Sequence, residues 1–160
     1  MLELPLPFQV DTTLYQHLER LIQSYEKWTG LKWDVKGEKR TQEWVRSIFD
    51  SPKAILSHNI KEDPIFNFGN RTALELFEVS FRDLIAMPSR LSAEPMLQEE
   101  RDHLIHTVRE NGYTDSYQGV RISSSGQRFH IPQAYVWNIV DENNQYLGQA
   151  ACFDKWTFLR

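Results

Sequence analysis

The sequence predicts a single α+β domain in which a five-stranded antiparallel sheet carries short helices on one face and an N-terminal helical extension. Three features point to this class. Apolar residues recur at spacings of three and four near the start of the chain. The middle holds short segments with helix-capping residues at their starts. In the last third the apolar period falls from about 3.6 to about 2, with turn-forming residues between the runs.

Element by element, Leu14, Leu18, Leu21, Ile22, Tyr25 and Trp28 form an amphipathic stripe behind a capping pair, Thr13 and Gln16, and Gly30 stops it. The stripe is long enough to cover a sheet or to meet a second copy of itself, so a homodimer through Leu14, Leu18, Leu21, Tyr25 and Trp28 stands beside the sheet-covering reading. About two heptads are too few for a coiled coil. Residues 32–40 are polar, and a shorter helix follows with Trp44, Val45, Ile48 and Phe49 on one side before Ser51-Pro52 ends it. Residues 54–59 and 65–68 read as strands joined by the polar turn Lys61-Glu62-Asp63-Pro64. Asn70 caps a helix carrying Ala73, Leu74 and Phe77, and Ser80 with Asp83 starts another that runs through Ala86. A longer helix runs from near Glu94 to Asn111, closed by Asn111-Gly112.

Three antiparallel strands then cover residues 116–123, 127–140 and 145–156, with turns at Ser125-Gly126 and Glu142-Asn143-Asn144. In the middle strand Phe129, Ile131, Tyr135, Trp137 and Ile139 alternate onto one face, and Ala134, Val136 and Val140 onto the other. A strand apolar on both faces is central and covered on both sides. The N-terminal helix is the expected cover for one side and the short helices for the other.

The totals exclude several classes. A chain of 160 residues hides roughly 70% of its unfolded surface in one core, so a second domain is not required. Hydrophobic residues make up 41% and charged residues 25%, which argues against disorder. The net charge of -4, with both signs interspersed, supplies no clustered basic face for a phosphate backbone, so no nucleic-acid partner is expected. No run of eighteen apolar residues suggests a membrane-spanning helix. Residues 1–10 are apolar but broken by Pro5 and Pro7, with neither a basic flank nor a cleavage site, so no secretion signal is expected. Cys152 is the only cysteine, which rules out an intramolecular disulfide and a thiolate zinc site and suits a reducing, cytoplasmic compartment.

The order of elements is that of PAS domains, whose antiparallel sheet faces its helices across a cavity. More specific are Ile55-Leu56-Ser57-His58, Asp63-Pro64-Ile65-Phe66-Asn67-Phe68-Gly69-Asn70-Arg71, the segment from Pro88-Ser89-Arg90 to Glu94-Pro95, Gly119-Val120-Arg121-Ile122-Ser123-Ser124-Ser125-Gly126, Trp137-Asn138 and Gly148-Gln149-Ala150-Ala151. Together these resemble MEKHLA domains, which occur alone in bacteria and algae and at the C-termini of plant homeodomain-leucine zipper regulators. The resemblance runs from about Leu21 to Phe153. It implies a PAS-like core over residues 54–160, with residues 1–53 as a helical extension on the sheet, and the stand-alone type, because no homeodomain or zipper precedes the domain here. It further implies a non-catalytic signalling module that senses or binds a small molecule or a protein partner, and it names no cofactor.

Within this frame the expected cavity floor is the odd-numbered face from Phe129 through Ile131 to Trp137, with Gln133, Tyr135, Arg121 and Arg101 as its polar groups. If Leu97, Leu104, Ile105 and Val108 define the buried stripe of their helix, a 100° step sets Arg101 near its middle. A buried guanidinium needs a partner, either an internal acid or a ligand anion. Arg121 alternates with Val120 and Ile122, and comparison with flavin-binding PAS domains through the Ser125-Gly126 turn sets it toward the cavity. The same wheel places Glu99, His103 and His106 on the watered side, which speaks against a metal or haem site there. Flavin photoreceptors of the thiol-adduct kind carry Asn-Cys-Arg on a helix, a motif this sequence lacks. A filled-core dimerisation scaffold is the alternative function, and a small α+β enzyme is a third, disfavoured because the acids fall mainly on turns and polar helix faces.

Overall fold

The computed structural model describes residues 4–94 and 97–160. Its first helix, α1 (Thr12–Thr29), starts one cap earlier than the Thr13 and Gln16 pair suggests. The Asp11 carboxylate accepts from the Leu14 N–H at 2.9 Å, and a negative charge at this end also meets the helix dipole favourably. Gly30, in the left-handed region at φ 73°, closes the helix. α2 (Gln42–Phe49) is capped by Thr41. β1 (Ala54–His58) and β2 (Phe66–Gly69) pair antiparallel. α3 (Arg71–Phe77) and α4 (Phe81–Leu84) begin at Asn70 and Ser80, whose side chains accept from Ala73 and Asp83 N–H groups.

A 3₁₀ turn (Ser89–Ser92) leads to α5 (Gln98–Asn111). The stretch expected to start this helix near Glu94, and Pro95 of the family-like segment, run into residues 95 and 96, which lie outside the described residues, as do residues 1–3 of the N-terminal segment. β3 (Tyr113–Ile122), β4 (Arg128–Val140) and β5 (Tyr146–Phe153) complete a sheet of spatial order β2-β1-β5-β4-β3 in which every pairing is antiparallel. The expected five strands gain a sixth, β6 (Thr157–Phe158), which pairs with Phe129 and His130 of β4. Two residues are too few to show a period, so this strand merges with β5 in the sequence pattern.

β4 departs from simple alternation. Its partners on β3 run Thr114 with Val136, Tyr117 with Ala134 and Gly119 with Ile131. Three steps on β3 therefore oppose two on β4, and then two oppose three. The second slip places an extra residue in β4 at Pro132-Gln133, where proline has no N–H for the ladder. The phase of the side chains reverses there. Phe129 and Ile131 share a face with Ala134, in the cluster that includes Phe77 and Phe153, while Trp137 and Ile139 lie in the opposite cluster beneath α1 with Tyr135 packed against it. The expected continuous odd-numbered face from Phe129 to Ile139 does not form.

Beneath α1 the packing is dense and apolar. Leu18, Leu21, Ile22 and Tyr25 meet Ile55, Trp137, Ile139 and Cys152, and α2 adds Trp44, Val45, Ile48 and Phe49. The Trp137 indole is fully buried, with the rings of Tyr25 and Trp33 edge-on at 5.1 and 5.9 Å. Its Nε1 donates to the Leu21 carbonyl at 3.1 Å. The Ser24 hydroxyl accepts from Val140 N at 2.9 Å, and Trp28 Nε1 donates to the Asn138 carbonyl at 2.9 Å. Phe8, ahead of α1, packs against Phe49 and Phe81 at 5.4 and 4.9 Å. Leu18, Leu21 and Tyr25 are thus buried within this chain, and Leu14 and Trp28 are half-buried. Among the described residues no helix is long and apolar enough to cross a membrane.

Two outcomes follow from this packing. Deleting residues 1–30 uncovers Ile55, Trp137, Ile139 and Cys152, so the remainder is expected to aggregate or lose most of its stability; a soluble, cooperatively folding monomer by light scattering and thermal melting would overturn this. His17 supplies the second. Its Nε2 lies 2.9 Å from Ser57 Oγ, whose proton goes to Asn67 Oδ1 at 2.5 Å, so the neutral ring donates from Nε2. Burial, reinforced by the nearby Arg20 charge, lowers its pKa to about 4. Above the unfolded value of 6.5 the ring is neutral in both states. As pH falls from there toward 4 the unfolded chain takes up the proton first, so up to about 3 kcal/mol of stability is lost across that window. Denaturant titrations from pH 7.5 to 4.5 are expected to show a shallower loss in His17→Gln than in the wild type; equal slopes would remove His17 from the account.

Candidate functional site

On the other face of the sheet, between it and α5, lies a cavity of about 90 Å³. Its walls are largely apolar, with Leu56, Phe77, Ile131, Ala134, Val136 and Phe153 contributing. That volume is well below the ~300–1,000 Å³ of pockets for drug-sized ligands, so it suits a molecule of few heavy atoms.

Two arginines enter this wall. Arg101 projects from α5 and is 5% exposed. Its Nη1 donates to Asp102 Oδ1 at 2.8 Å and its Nη2 to Ser89 Oγ. Asp102, with 69% of its side chain exposed, is a solvated partner at the rim. Burial is the main force lowering the Arg101 pKa; Asp102 opposes it and the Arg121 charge adds to it. Arg121, on β3, lies with its guanidinium carbon 5.2 Å from the Tyr117 ring centroid, and its Nη1 makes a long bond to the Val120 carbonyl at 3.3 Å. Among the described residues it forms no ion pair. Burial lowers its pKa, opposed by Tyr117 and by the charge of Glu100. The two guanidiniums thus line one small space and repel each other across it.

Two polar side chains, His58 and Gln149, enter the sheet side of this wall, with Asn138 beside them. His58, Gln149 and Asn138 are direct neighbours across β1, β5 and β4. Gln149 Nε2 donates to the Ile105 carbonyl at 2.9 Å and to Asn138 Oδ1 at 3.1 Å, and Asn138 Nδ2 donates to the Arg109 carbonyl at 3.1 Å. Both side chains therefore point to α5. Gln149 is 1% exposed, and its Oε1 has no hydrogen-bond partner among the described residues. His58 Nδ1 lies 3.0 Å from the Asn59 carbonyl and must donate to it, which leaves Nε2 of the neutral ring as an acceptor. Burial lowers the His58 pKa; the Asn59 bond resists this, the Arg101 charge adds to it, and the Gln149 amide, which favours a protonated ring beside it, also resists. The strands close here only because residue 148 is glycine. At φ 144°, a Cβ on Gly148 would fall 2.1 Å from the His58 carbonyl oxygen.

Of the residues expected at the site, Arg101, Arg121 and Ile131 line the cavity. Phe129 shares that face but packs one step away against Phe77, at 5.1 Å. Tyr135 and Trp137 are on the α1 side, because the slip at Pro132-Gln133 turns them over. Gln133, at the slip itself, is exposed and donates to the Asp115 carbonyl at 3.0 Å. His58, Ser89 and Gln149 take the polar positions assigned to Gln133 and Tyr135. Gln149 had a sequence signal, a large polar side chain among small residues in Gly148-Gln149-Ala150-Ala151, but its weight depends on β5 being central. Glu99, His103 and His106 are exposed, and His106 reaches Glu110 at 3.2 Å. Cys152 lies in the α1 cluster, away from the cavity, with its thiol pushed up to about 12 by burial.

The fold has clear relatives. The PAS domain of a protein from Colwellia psychrerythraea superposes with a TM-score of 0.59 at 18% identity, over 68% of this chain and 89% of that one. A light-oxygen-voltage domain solved with a flavin analogue gives 0.57 at 11% identity, over 72% and 84%. The chain therefore has the PAS fold. Among curated proteins, homeobox-leucine zipper protein HOX9 of Oryza sativa subsp. indica is 27% identical over 143 residues, covering 87% of this chain and 16% of that protein. Homeobox-leucine zipper protein ATHB-9 of Arabidopsis thaliana is 26% identical over 120 residues, 72% of this chain and 14% of that protein. The chain spans about a sixth of the length of these relatives. The MEKHLA domain model matches residues 15–158, nearly the whole of the sheet and its helices, and the chain belongs to the MEKHLA domain family.

Proposed function

We propose that this domain is a non-catalytic sensory module that takes up a small anionic molecule in the cavity beside α5. One observation carries the reading: two guanidiniums line a space of about 90 Å³ whose wall, among the described residues, contains no carboxylate. Mutual repulsion between them costs least when an anion sits between, and an arginine fork matches a carboxylate or phosphate through paired bonds. The internal ion-pair alternative accounts for part of Arg101, through Asp102, and for none of Arg121 among the described residues. A wall without acids also gives little support to acid-base catalysis. A homodimer through Leu14, Leu18, Leu21, Tyr25 and Trp28 would require α1 to leave the sheet that buries it, so binding within one chain is the favoured reading.

The test is a thermal-shift screen of short carboxylates and phosphates, with sulfate as a control for stabilisation by surface exclusion. At one hundred times its dissociation constant a ligand adds about 2.7 kcal/mol. For a domain of this size that raises the melting temperature by about 5–10 °C. Arg121→Lys, which keeps the charge but loses the fork, is expected to weaken binding by about ten-fold or more. If no anion shifts the wild type, or if one shifts wild type, Arg121→Lys and Arg121→Ala equally, the anion site is refuted.

A further inference from the structure

The arginines supply the cavity's charged groups; Gln149 adds an uncharged one. Its Nε2 is fully committed to Ile105 and Asn138, which fixes the amide's orientation and leaves Oε1 at the cavity wall as a buried acceptor with no donor among the described residues while the neighbouring His58 ring is neutral and protonated on Nδ1. The adjoining His58 ring, held by Asn59 through Nδ1, presents a second acceptor at Nε2. An acceptor buried without a donor is costly. We infer that the ligand carries a hydrogen-bond donor for Gln149 Oε1 in addition to its anionic group, so that its class is a short hydroxycarboxylic acid. This rests on the anion-binding reading above.

The chemistry of the wall narrows the donor. An ammonium would enter a space with no carboxylate to pair it and with the Arg101 charge acting on the same region, since that charge already bears on His58. An unpaired cation there is strongly disfavoured. A hydroxyl satisfies Gln149 Oε1 without adding charge, and the apolar wall contributed by Leu56, Ile131 and Val136 fits a short hydrocarbon stem. The cavity volume limits that stem to few carbons.

The experiment compares matched acids on the intact chain by calorimetry: unsubstituted acids of three to five carbons, the same acids with a hydroxyl at each position, and the methoxy and amino analogues of the best hydroxy acid. At least one hydroxy acid is expected to bind about ten-fold more tightly than its parent, with the gain absent from the methoxy and amino analogues. In Gln149→Met the gain is expected to vanish while the parent acid still binds. Parent acids that bind with no gain from hydroxylation at any position, or a methoxy analogue as tight as the hydroxy acid, overturn the inference and leave the anion site standing. Failure of every acid, parent and hydroxylated alike, overturns the inference, and the anion site falls with it when the phosphates of the thermal-shift screen also fail to bind. Because Gln149 also anchors Ile105, the wild-type series decides the question even where Gln149→Met does not fold.

Discussion

The second half of β4 must be covered on both faces, and the rest of the domain is arranged around that requirement. From Ala134 to Ile139 every residue but the half-buried Tyr135 is buried, with β3 on one edge and β5 on the other. A sheet alone cannot hide two apolar faces, so each needs a layer of its own. α1 supplies one, with Leu18, Leu21 and Tyr25 against Trp137 and Ile139. α5 and the short helices supply the other, over Ala134 and Val136.

The two layers are held differently, and the difference locates the site. On the α1 side large side chains interdigitate, and the polar atoms that enter are paired in short order: Trp137 with Leu21, Trp28 with Asn138, Ser24 with Val140. On the α5 side the helix contributes only Arg101 and Val108 as buried residues, so side-chain packing alone ties it loosely. Amides from the sheet compensate. Gln149 and Asn138 bond the carbonyls of Ile105 and Arg109, the latter near the helix end where carbonyls lack intrahelical partners. A layer held by polar contacts leaves room for a cavity, and Gln149 both anchors the helix and faces that cavity. A molecule that engages Gln149 therefore touches the point at which α5 is fastened.

The Ser123-Ser124-Ser125-Gly126 turn shows how a local feature acquires a second role. Its residues make the β3–β4 hairpin, and Gly126 takes the left-handed conformation at φ 91° that such a turn requires. In the fold, Ser123 Oγ also donates to Glu78 Oε2 at 2.7 Å, Ser125 Oγ reaches the same oxygen, and Ser124 N donates to the Phe77 carbonyl at 3.0 Å. The Ser125 and Ser123 bonds lower the Glu78 pKa, and all three fasten the end of α3 to the hairpin beside Phe77 and Phe129. The glycine made the turn readable; the partner forty-five residues away did not.

What the sequence determined by itself is what short-range physics governs. Caps at Asn70 and Ser80, the stop at Gly30, the change of period between residues 111 and 116 and the turns between strands each depend on a few neighbouring residues, and with them came the order of elements and the family words. Burial of Arg101 followed from its helix wheel in the same way. What only the tertiary structure decided is which side of the sheet each strand residue faces. A strand's period is two, so one extra residue at Pro132-Gln133 exchanges the faces, taking Tyr135 and Trp137 to α1 and bringing Ala134 and Val136 to the cavity. That slip is set by pairing with β3, the preceding strand, which is irregular itself, and no local spacing shows where the two fall out of step. The same holds for His58, Gln149 and Asn138, brought side by side from three strands by register, because no spacing along a chain encodes which residues will sit opposite one another.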